Sequence, residues 1–196
     1  TPAKTLGLAG ASGNIQISEN DLDDITADTI AIGNADTGTV TIGGALTNDA
    51  SLSFTSGTGI ALNQNVTTSV SSDTITFTGA VTLGANVALG TNNGNISFSS
   101  TVDADDASSQ NRTLTLTAGT GTATFGSTVG ATQSLADFDV TGSSVSFAGN
   151  VTVDDQGSNT ATMTGAVVLA GNVTFDSDGA ADNSLSFSST IDSADA

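Results

Sequence analysis

The chain alternates apolar and polar residues in short stretches along nearly its whole length. In a typical stretch, such as Val40-Thr41-Ile42, two apolar residues flank a Thr or Ser. A period of two predicts a β-strand with one buried face. Turn-forming Gly, Asn, Asp and Ser separate the stretches. Strands are predicted at residues 15–17, 30–32, 40–42, 52–54, 60–62, 75–77, 81–83, 87–89, 96–98, 114–116, 123–125, 145–147, 151–153, 161–163, 167–169, 173–175 and 185–187.

The predicted strands recur with a period close to 21 residues. An Asn-Val pair begins at positions 65, 86, 150 and 172, with steps of 21, 64 and 22 residues, and 64 is three times about 21. Three short strands with their corners fill one such period, which is the length of one coil of a three-sided β-helix. The sequence therefore predicts an all-β, three-sided parallel β-helix, or β-solenoid, of about nine coils. Phe54, Phe77 and Phe98 follow the same period and predict a ladder of rings in the core.

The sequence also contains a repeat that is longer than one coil. Residues 72–81 return at 158–167, residues 98–103 at 187–192 and residues 4–6 at 112–114, with offsets of 86, 89 and 108. The difference of 22 between the offsets 108 and 86 suggests that the first unit contains one extra coil. We therefore divide one continuous solenoid into units 1–108 and 109–196. Because the end of a solenoid is an open strand edge, we expect adjacent repeats or copies of the chain to follow head to tail.

Charge and composition narrow the range of functions. Twenty acidic residues stand against only Lys4 and Arg112, giving a net charge of -18. Two cations cannot neutralise a nucleic-acid backbone or an anionic membrane surface, so neither is an expected partner. The absence of His, Cys and Tyr rules out a Ser-His-Asp triad, and we expect neither enzymatic activity nor a resident organic cofactor. No apolar run is long enough for a transmembrane helix, so we predict no membrane insertion.

Two clusters of Asp are candidate calcium sites. Asp176, Ser177, Asp178 and Gly179 alternate oxygen ligands before a glycine turn, as calcium-binding loops do. The alternative is that these acids are solvated turn residues that keep the chain soluble. The candidate ligands are Asp103, Asp105 and Asp106 in one cluster and Asp176, Asp178 and Asp182 in the other.

The Asn and Thr patterns each allow two interpretations. The Asn of each Asn-Val pair is predicted to be a left-handed corner residue that joins neighbouring coils, while Asn65-Val66-Thr67 and similar segments also fit the glycosylation acceptor pattern. The Thr-x-Thr groups would suit a flat ice-binding face, or would pack across neighbouring strands. These groups are residues 74–78, 113–117 and 160–164.

Two segments resemble the repeats of filamentous-haemagglutinin-like giant bacterial adhesins, which are β-strand repeat surface proteins. They are Arg112-Thr113-Leu114-Thr115-Leu116-Thr117-Ala118-Gly119-Thr120-Gly121-Thr122-Ala123-Thr124-Phe125-Gly126 and Phe147-Ala148-Gly149-Asn150-Val151-Thr152. The resemblance implies a right-handed β-helix exported to the bacterial cell surface, and it brings no catalytic residues. The expected function is a structural repeat of an extracellular filament or adhesin stalk. The alternative is a module whose side surface binds carbohydrate such as a cell-surface glycan, calcium or, less favoured, ice.

Overall fold

The computed structural model is a parallel β-solenoid, which confirms the predicted fold class. It describes residues 3–105, 112–154, 159–177 and 184–194. Within these residues every strand pair is parallel, and a single five-residue helix is present. No helix in the described part of the chain is long and apolar enough to cross a membrane.

The first layer of the solenoid is irregular. It contains two neighbouring parallel strands, a helix and one further strand. Its elements are β1 (Leu6–Leu8), β2 (Ile15–Ile17), α1 (Glu19–Asp23) and β3 (Thr29–Asn34).

About seven regular coils follow. The first four each contain three separate strands. Coil 1 is β4 (Val40–Ile42), β5 (Leu46–Asn48) and β6 (Ser51–Ser56); coil 2 is β7 (Ile60–Leu62), β8 (Val66–Ser71) and β9 (Ile75–Thr78); coil 3 is β10 (Val81–Leu83), β11 (Val87–Asn92) and β12 (Ile96–Phe98); coil 4 is β13 (Val102–Ala104), β14 (Thr113–Thr117) and β15 (Thr122–Phe125).

In coils 5 and 6 one long strand passes through a corner and serves two faces. Gly165 lies at such a corner with φ +125°, and a Cβ there would lie 2.1 Å from the Gly142 carbonyl oxygen, so this position favours glycine. Coil 5 is Val129 and β16 (Asp137–Phe147); coil 6 is β17 (Val151–Thr152) and β18 (Thr160–Leu169); coil 7 is β19 (Phe175–Asp176), β20 (Ser184–Phe187) and β21 (Ile191–Ser193).

The strands stack into three faces. Face A contains β2, β1, β4, β7, β10, β13, Val129, β17 and β19. Face B contains β5, β8, β11, β14, the first half of β16, the first half of β18 and β20. Face C contains β3, β6, β9, β12, β15, the second halves of β16 and β18, and β21.

Register places like residues on top of one another. Ile96 pairs with Ile75 and Phe98 pairs with Phe77, so the inward positions of successive coils form columns. The rings of Phe77 and Phe98 are stacked 4.9 Å apart at 13°. The column continues through Phe54, Phe125 and Phe147 with centroid distances of 5.2 to 5.3 Å. The predicted Phe ladder is therefore confirmed.

The predicted number of coils was too high. About seven regular coils form, rather than nine, because the first layer and some corners contain extra residues. On face A, Val81 and Val102 are 21 residues apart, but the next residue of the column, Val129, follows after 27. Corner length therefore varies while the strand spacing of the faces is kept.

The longer repeat does not follow the coils. Phe77 lies on face C, whereas Met163, its counterpart at the offset of 86, lies on face B. Phe98 and Phe187, which are 89 residues apart, also lie on faces C and B. Like segments therefore occupy different faces, and the extra coil in the first unit stays a prediction. The division at residue 108 falls outside the described residues and stays a prediction, but β12–β15 and β11–β14 pair across it.

Two predicted strands differ in detail from the structure. Residues 15–17 form β2, but this strand is at the edge of face A and Ile15 is 50 % exposed rather than buried. In the segment 173–175 only Phe175 lies in a strand. Both differences occur in the outermost layers, where a neighbouring coil is present on one side alone.

Candidate functional site: corners, faces and the two ends

Asn side chains at the corners, together with Asp103 in β13 and Asp139 in β16, join neighbouring layers. The Asn65 Oδ1 accepts the backbone N–H of Ala88 at 2.8 Å, and the Asn150 Oδ1 accepts that of Thr174 at 2.9 Å. These side chains supply acceptors where the strand ladder is interrupted and a backbone N–H has no carbonyl opposite. The same bond is made by Asn86 to Thr113, Asn93 to Thr120, Asn95 to Thr122, Asp103 to Thr132 and Gln133, and Asp139 to Thr162.

The predicted corner role of the Asn-Val pairs is confirmed for Asn65, Asn86 and Asn150, but the predicted left-handed conformation is wrong. Among described non-glycine residues, positive φ occurs at Ala9, Ser72 and Asn93. The Asn-Val corners need an acceptor oxygen and do not need an unusual backbone. Glycosylation of these segments stays a prediction.

Helix α1 covers the first strand of face B. Ser18 and Asp21 form a capping box, in which the Asp21 N–H donates to the Ser18 Oγ at 3.2 Å and the Ser18 N–H donates to the Asp21 Oδ2 at 2.9 Å. The Ser18 hydroxyl, and then the Ser18 N–H, hold the pKa of the exposed Asp21 carboxyl below its ordinary value of 3.8. The sequence interpretation missed this helix, although Ser18-Glu19-Asn20-Asp21 is a readable start signal.

The helix closes the edge of β5 with three contacts. The Glu19 Oε1 accepts the backbone N–H of Thr47 at 2.9 Å. The Asn48 Nδ2 donates to the Leu22 carbonyl oxygen at 3.3 Å. The Leu22 side chain is buried, with 2 % exposure, against the core. An edge that would otherwise expose unpaired backbone groups is thereby covered.

Strand β2 closes face A in a similar way. It pairs with β1 on the side away from β4. The Asn14 Oδ1 accepts the backbone N–H of Thr5 at 3.1 Å, and the Asn14 N–H donates to the Thr5 Oγ1 at 3.0 Å. We call β2, α1 and Asn14 together the N-terminal cap.

The opposite end has no comparable cover in the described residues. We call β19, β20 and β21 the C-terminal layer; each of them pairs with a strand on one side only. Phe175, Leu185 and Phe187 are partly buried, unlike the fully buried rings of the interior. Ile191 is 46 % exposed. The cross-section of the apolar core is therefore partly open at this end.

The first predicted calcium cluster is occupied by protein contacts. The Asp103 Oδ1 accepts the N–H groups of Thr132 and Gln133 at 2.8 and 3.4 Å. The Asp105 carboxylate receives two bonds from Arg112, with Nε–Oδ1 at 2.6 Å and an Nη2–Oδ2 distance of 3.1 Å. Asp106 lies outside the described residues. The carboxylates of Asp103 and Asp105 are therefore both engaged by protein groups.

The second predicted cluster lies partly outside the described residues. Asp176 pairs with Thr152 on face A, while Asp178 and Asp182 lie outside the described residues. Asp103 and Asp176 are three layers apart, about 14 Å at the strand spacing of a sheet, so they cannot share an ion. In the described part of the chain no group of three Asp or Glu residues is placed to hold a metal. Calcium binding at residues 176–182 stays a prediction.

Face C presents a column of hydroxyl groups to solvent. Ser53, Thr76, Ser97, Thr124 and Ser146 are register partners in five successive coils. The Ser97 Oγ lies 3.3 Å from the Thr76 Oγ1. In coils 1 to 5 the strand residues that lie on face C include no charged residue, although the chain is strongly acidic. In these coils face C is therefore a neutral, hydroxyl-bearing strip.

The Thr-x-Thr groups do not form one surface. Thr76 lies on face C, whereas Thr115 and Thr162 lie on face B. Between the last two, Asp139 occupies the same column and pairs with Thr115. The flat, regular array expected of an ice-binding face is therefore interrupted by charge and divided between faces.

Lys4 lies in an open groove at the first layer. The groove has a volume of about 660 Å³ and is lined by Lys4, Ile15, Asn34, Asp36 and Thr58 among others. The Asn34 Oδ1 accepts the Asp36 N–H at 2.8 Å, which fixes one wall.

Comparisons of the chain with protein-family models, with curated proteins and with solved structures find no match. The function proposed below depends on the sequence pattern and the geometry described above.

Proposed function

We propose that the chain is a structural, non-enzymatic segment of an extracellular filament or of an adhesin stalk on the bacterial cell surface. The observation that carries the proposal is the continuous core. Columns of Phe, Val, Ile and Leu run through every regular coil, and parallel strand pairs join each coil to the next. Such a solenoid spans about 34 Å over seven coils, at the usual strand spacing. Its contacts hold layers together along one axis, as a load-bearing spacer requires.

The acidic composition agrees with this role. A net charge of -18 keeps neighbouring rods apart by repulsion, so that the side surfaces stay soluble. The resemblance of residues 112–126 to adhesin repeats supports the same assignment. The expected partners are the adjacent repeats of the filament, and the expected location is the cell surface.

Protease shaving of intact cells that make the protein tests this location. We expect tryptic peptides containing Lys4 or Arg112 to be released before lysis. Because the chain has two cleavage sites for trypsin, a broad-specificity protease should be used in parallel. Recovery of the peptides from the lysate alone would remove the extracellular role, and a cytoplasmic marker protein measures leakage.

The neutral hydroxyl column of face C favours one alternative, a side surface that binds carbohydrate. Neutral polysaccharides present hydroxyl groups at a density that Ser and Thr can match by hydrogen bonding. A pull-down with insoluble neutral polysaccharides tests it. The alternative predicts that T76K weakens retention, whereas T82K, an exposed threonine on face A, leaves it unchanged. Equal retention of both variants and the parent chain would remove face C as the binding surface.

The calcium alternative has its own test. If residues 176–182 bind calcium, low-millimolar calcium should raise the melting temperature, and D178N should abolish the rise. D103N serves as the control, because the Asp103 carboxylate bonds to backbone N–H groups. Magnesium at the same concentration controls for charge screening. An unchanged melting temperature in calcium would contradict the alternative.

A further inference from the structure

The bonds between layers have a direction. Among the described residues, eight Asn, Asp or Glu side chains accept a backbone N–H from another layer. In each of the eight, the donor belongs to the layer on the C-terminal side of the acceptor. Within the first layer, Asn14 beside β2 makes the same bond to Thr5 beside β1, the strand nearer to the regular coils. In these bonds each layer therefore offers Asn, Asp or Glu oxygens toward the C-terminal end, and the N–H groups that they accept point toward the N-terminal end.

The N-terminal cap uses this same chemistry. Asn14 and Glu19 supply oxygens to the N–H groups of Thr5 and Thr47, which have no preceding regular coil. Leu22 covers the apolar core at this end. The cap thus provides faces A and B with both of the contacts that a preceding coil would make.

Among the described residues, none makes the corresponding contacts on the outer side of the C-terminal layer. Its three strands each have one partner, and Phe175 and Phe187 complete the inner columns without a following ring. Exposed Asn172 repeats the Gly-Asn-Val-Thr sequence in which Asn150 bonds to the next layer. What fits here must bring backbone N–H donors, apolar inward side chains and parallel strand edges.

We propose, on the basis of the structural role above, that the C-terminal layer docks a further parallel β-coil whose first layer is uncapped. A second copy of this chain does not meet that description. Its own N-terminal cap places α1 over face B, so that a helix rather than an open strand edge would meet β20. The solenoid is therefore polar: its N-terminal cap covers faces A and B, and its C-terminal layer is able to continue.

The test extends the full chain with two of its own interior coils. Residues 38–78 are added after Ala196, so that the new strands enter in the order of faces A, B and C. In the matched control, the inward residues of the added copy, corresponding to Val40, Leu46 and Phe54, are replaced by Ser. Hydrogen exchange of β19, β20 and β21 is measured by mass spectrometry in the parent, extended and control chains.

Docking predicts at least tenfold slower exchange of the C-terminal layer in the extended chain, while the control exchanges like the parent. Equal exchange in all three chains would overturn the proposal. Sedimentation of the parent chain over a range of concentrations gives the second outcome. We expect a monomer; end-to-end filaments would show that a second copy is the occupant and would overturn the closed N-terminal cap. Neither result depends on where the cell places the protein, so the proposed function is tested separately.

Discussion

At the scale of the residue, two kinds of side chain determine how coils join. Inward Phe rings stack on the rings of neighbouring coils, and corner Asn oxygens accept backbone N–H groups from the next layer. The first contact is apolar and continuous, whereas the second is a single bond at an exposed corner. The two therefore differ in what their removal should cost.

Replacement of one ring in the interior column tests the apolar contact. Phe77 has 0 % exposure and stacks on Phe54 and Phe98. We expect F77A to lower the free energy of unfolding by about 3–5 kcal/mol, since burial is lost and a cavity remains. Chemical denaturation followed by circular dichroism measures the change. T76A on the outer side of the same strand is the control, and equal effects of the two would contradict the assigned facing of β9.

Removal of one corner oxygen tests the bond between layers. We expect N65A to cost about 1 kcal/mol of unfolding free energy, because the Ala88 N–H loses its acceptor. N65D keeps an acceptor oxygen and should retain most of the stability. The exchange rate of the Ala88 amide, measured by NMR, should rise in N65A alone. An Ala88 amide that is equally protected in both variants would remove the role of this bond.

At the scale of the element, a short helix takes the place of a strand in the first layer. A five-residue helix is not stable by itself. Its capping box, the Glu19 bond to Thr47 and the burial of Leu22 hold it in place. The N-terminal cap therefore depends on an acid whose ionisation can be changed.

The lowered pKa of Asp21 predicts acid sensitivity of the cap. A carboxyl group with a lowered pKa stabilises the folded state above its unfolded value of about 3.8, and this contribution is lost as the pH falls through the lower folded value. Exchange of the α1 amides, corrected for intrinsic rates, should therefore speed up in that acidic range. D21N should remove this pH dependence. A profile that is the same in both chains would show that Asp21 does not govern the cap.

At the scale of the whole molecule, the chain combines a neutral core with a strongly acidic surface, on which Lys4 and Arg112 are the two cations. The acids that the structure describes lie at corners, on faces A and B and in the end layers, while face C is neutral from coil 1 to coil 5. Repulsion among the acids opposes the compact state. Stability should therefore respond to ionic strength.

We expect the melting temperature to rise as salt increases from low to physiological ionic strength, because counter-ions screen the repulsion. Scanning calorimetry in sodium chloride measures the shift. Choline chloride at equal ionic strength separates screening from the binding of a small cation. A melting temperature that is independent of salt would show that the acids are too far apart to destabilise the fold.

The sequence by itself determined the strands, the solenoid and the core column. The alternation in Ile96-Ser97-Phe98 predicts which side chains point inward. The step of 21 residues from Phe77 to Phe98 predicts that one ring stacks on the other. Both signals are local or strictly periodic, so they can be read without coordinates. Only the tertiary structure decided the number of coils, the face that each repeat occupies and the closing of one end. Corner length sets these properties, as the 27 residues from Val102 to Val129 show. The conformation of a corner depends on its contacts with the neighbouring coils. The sequence of the corner alone does not determine where those coils lie.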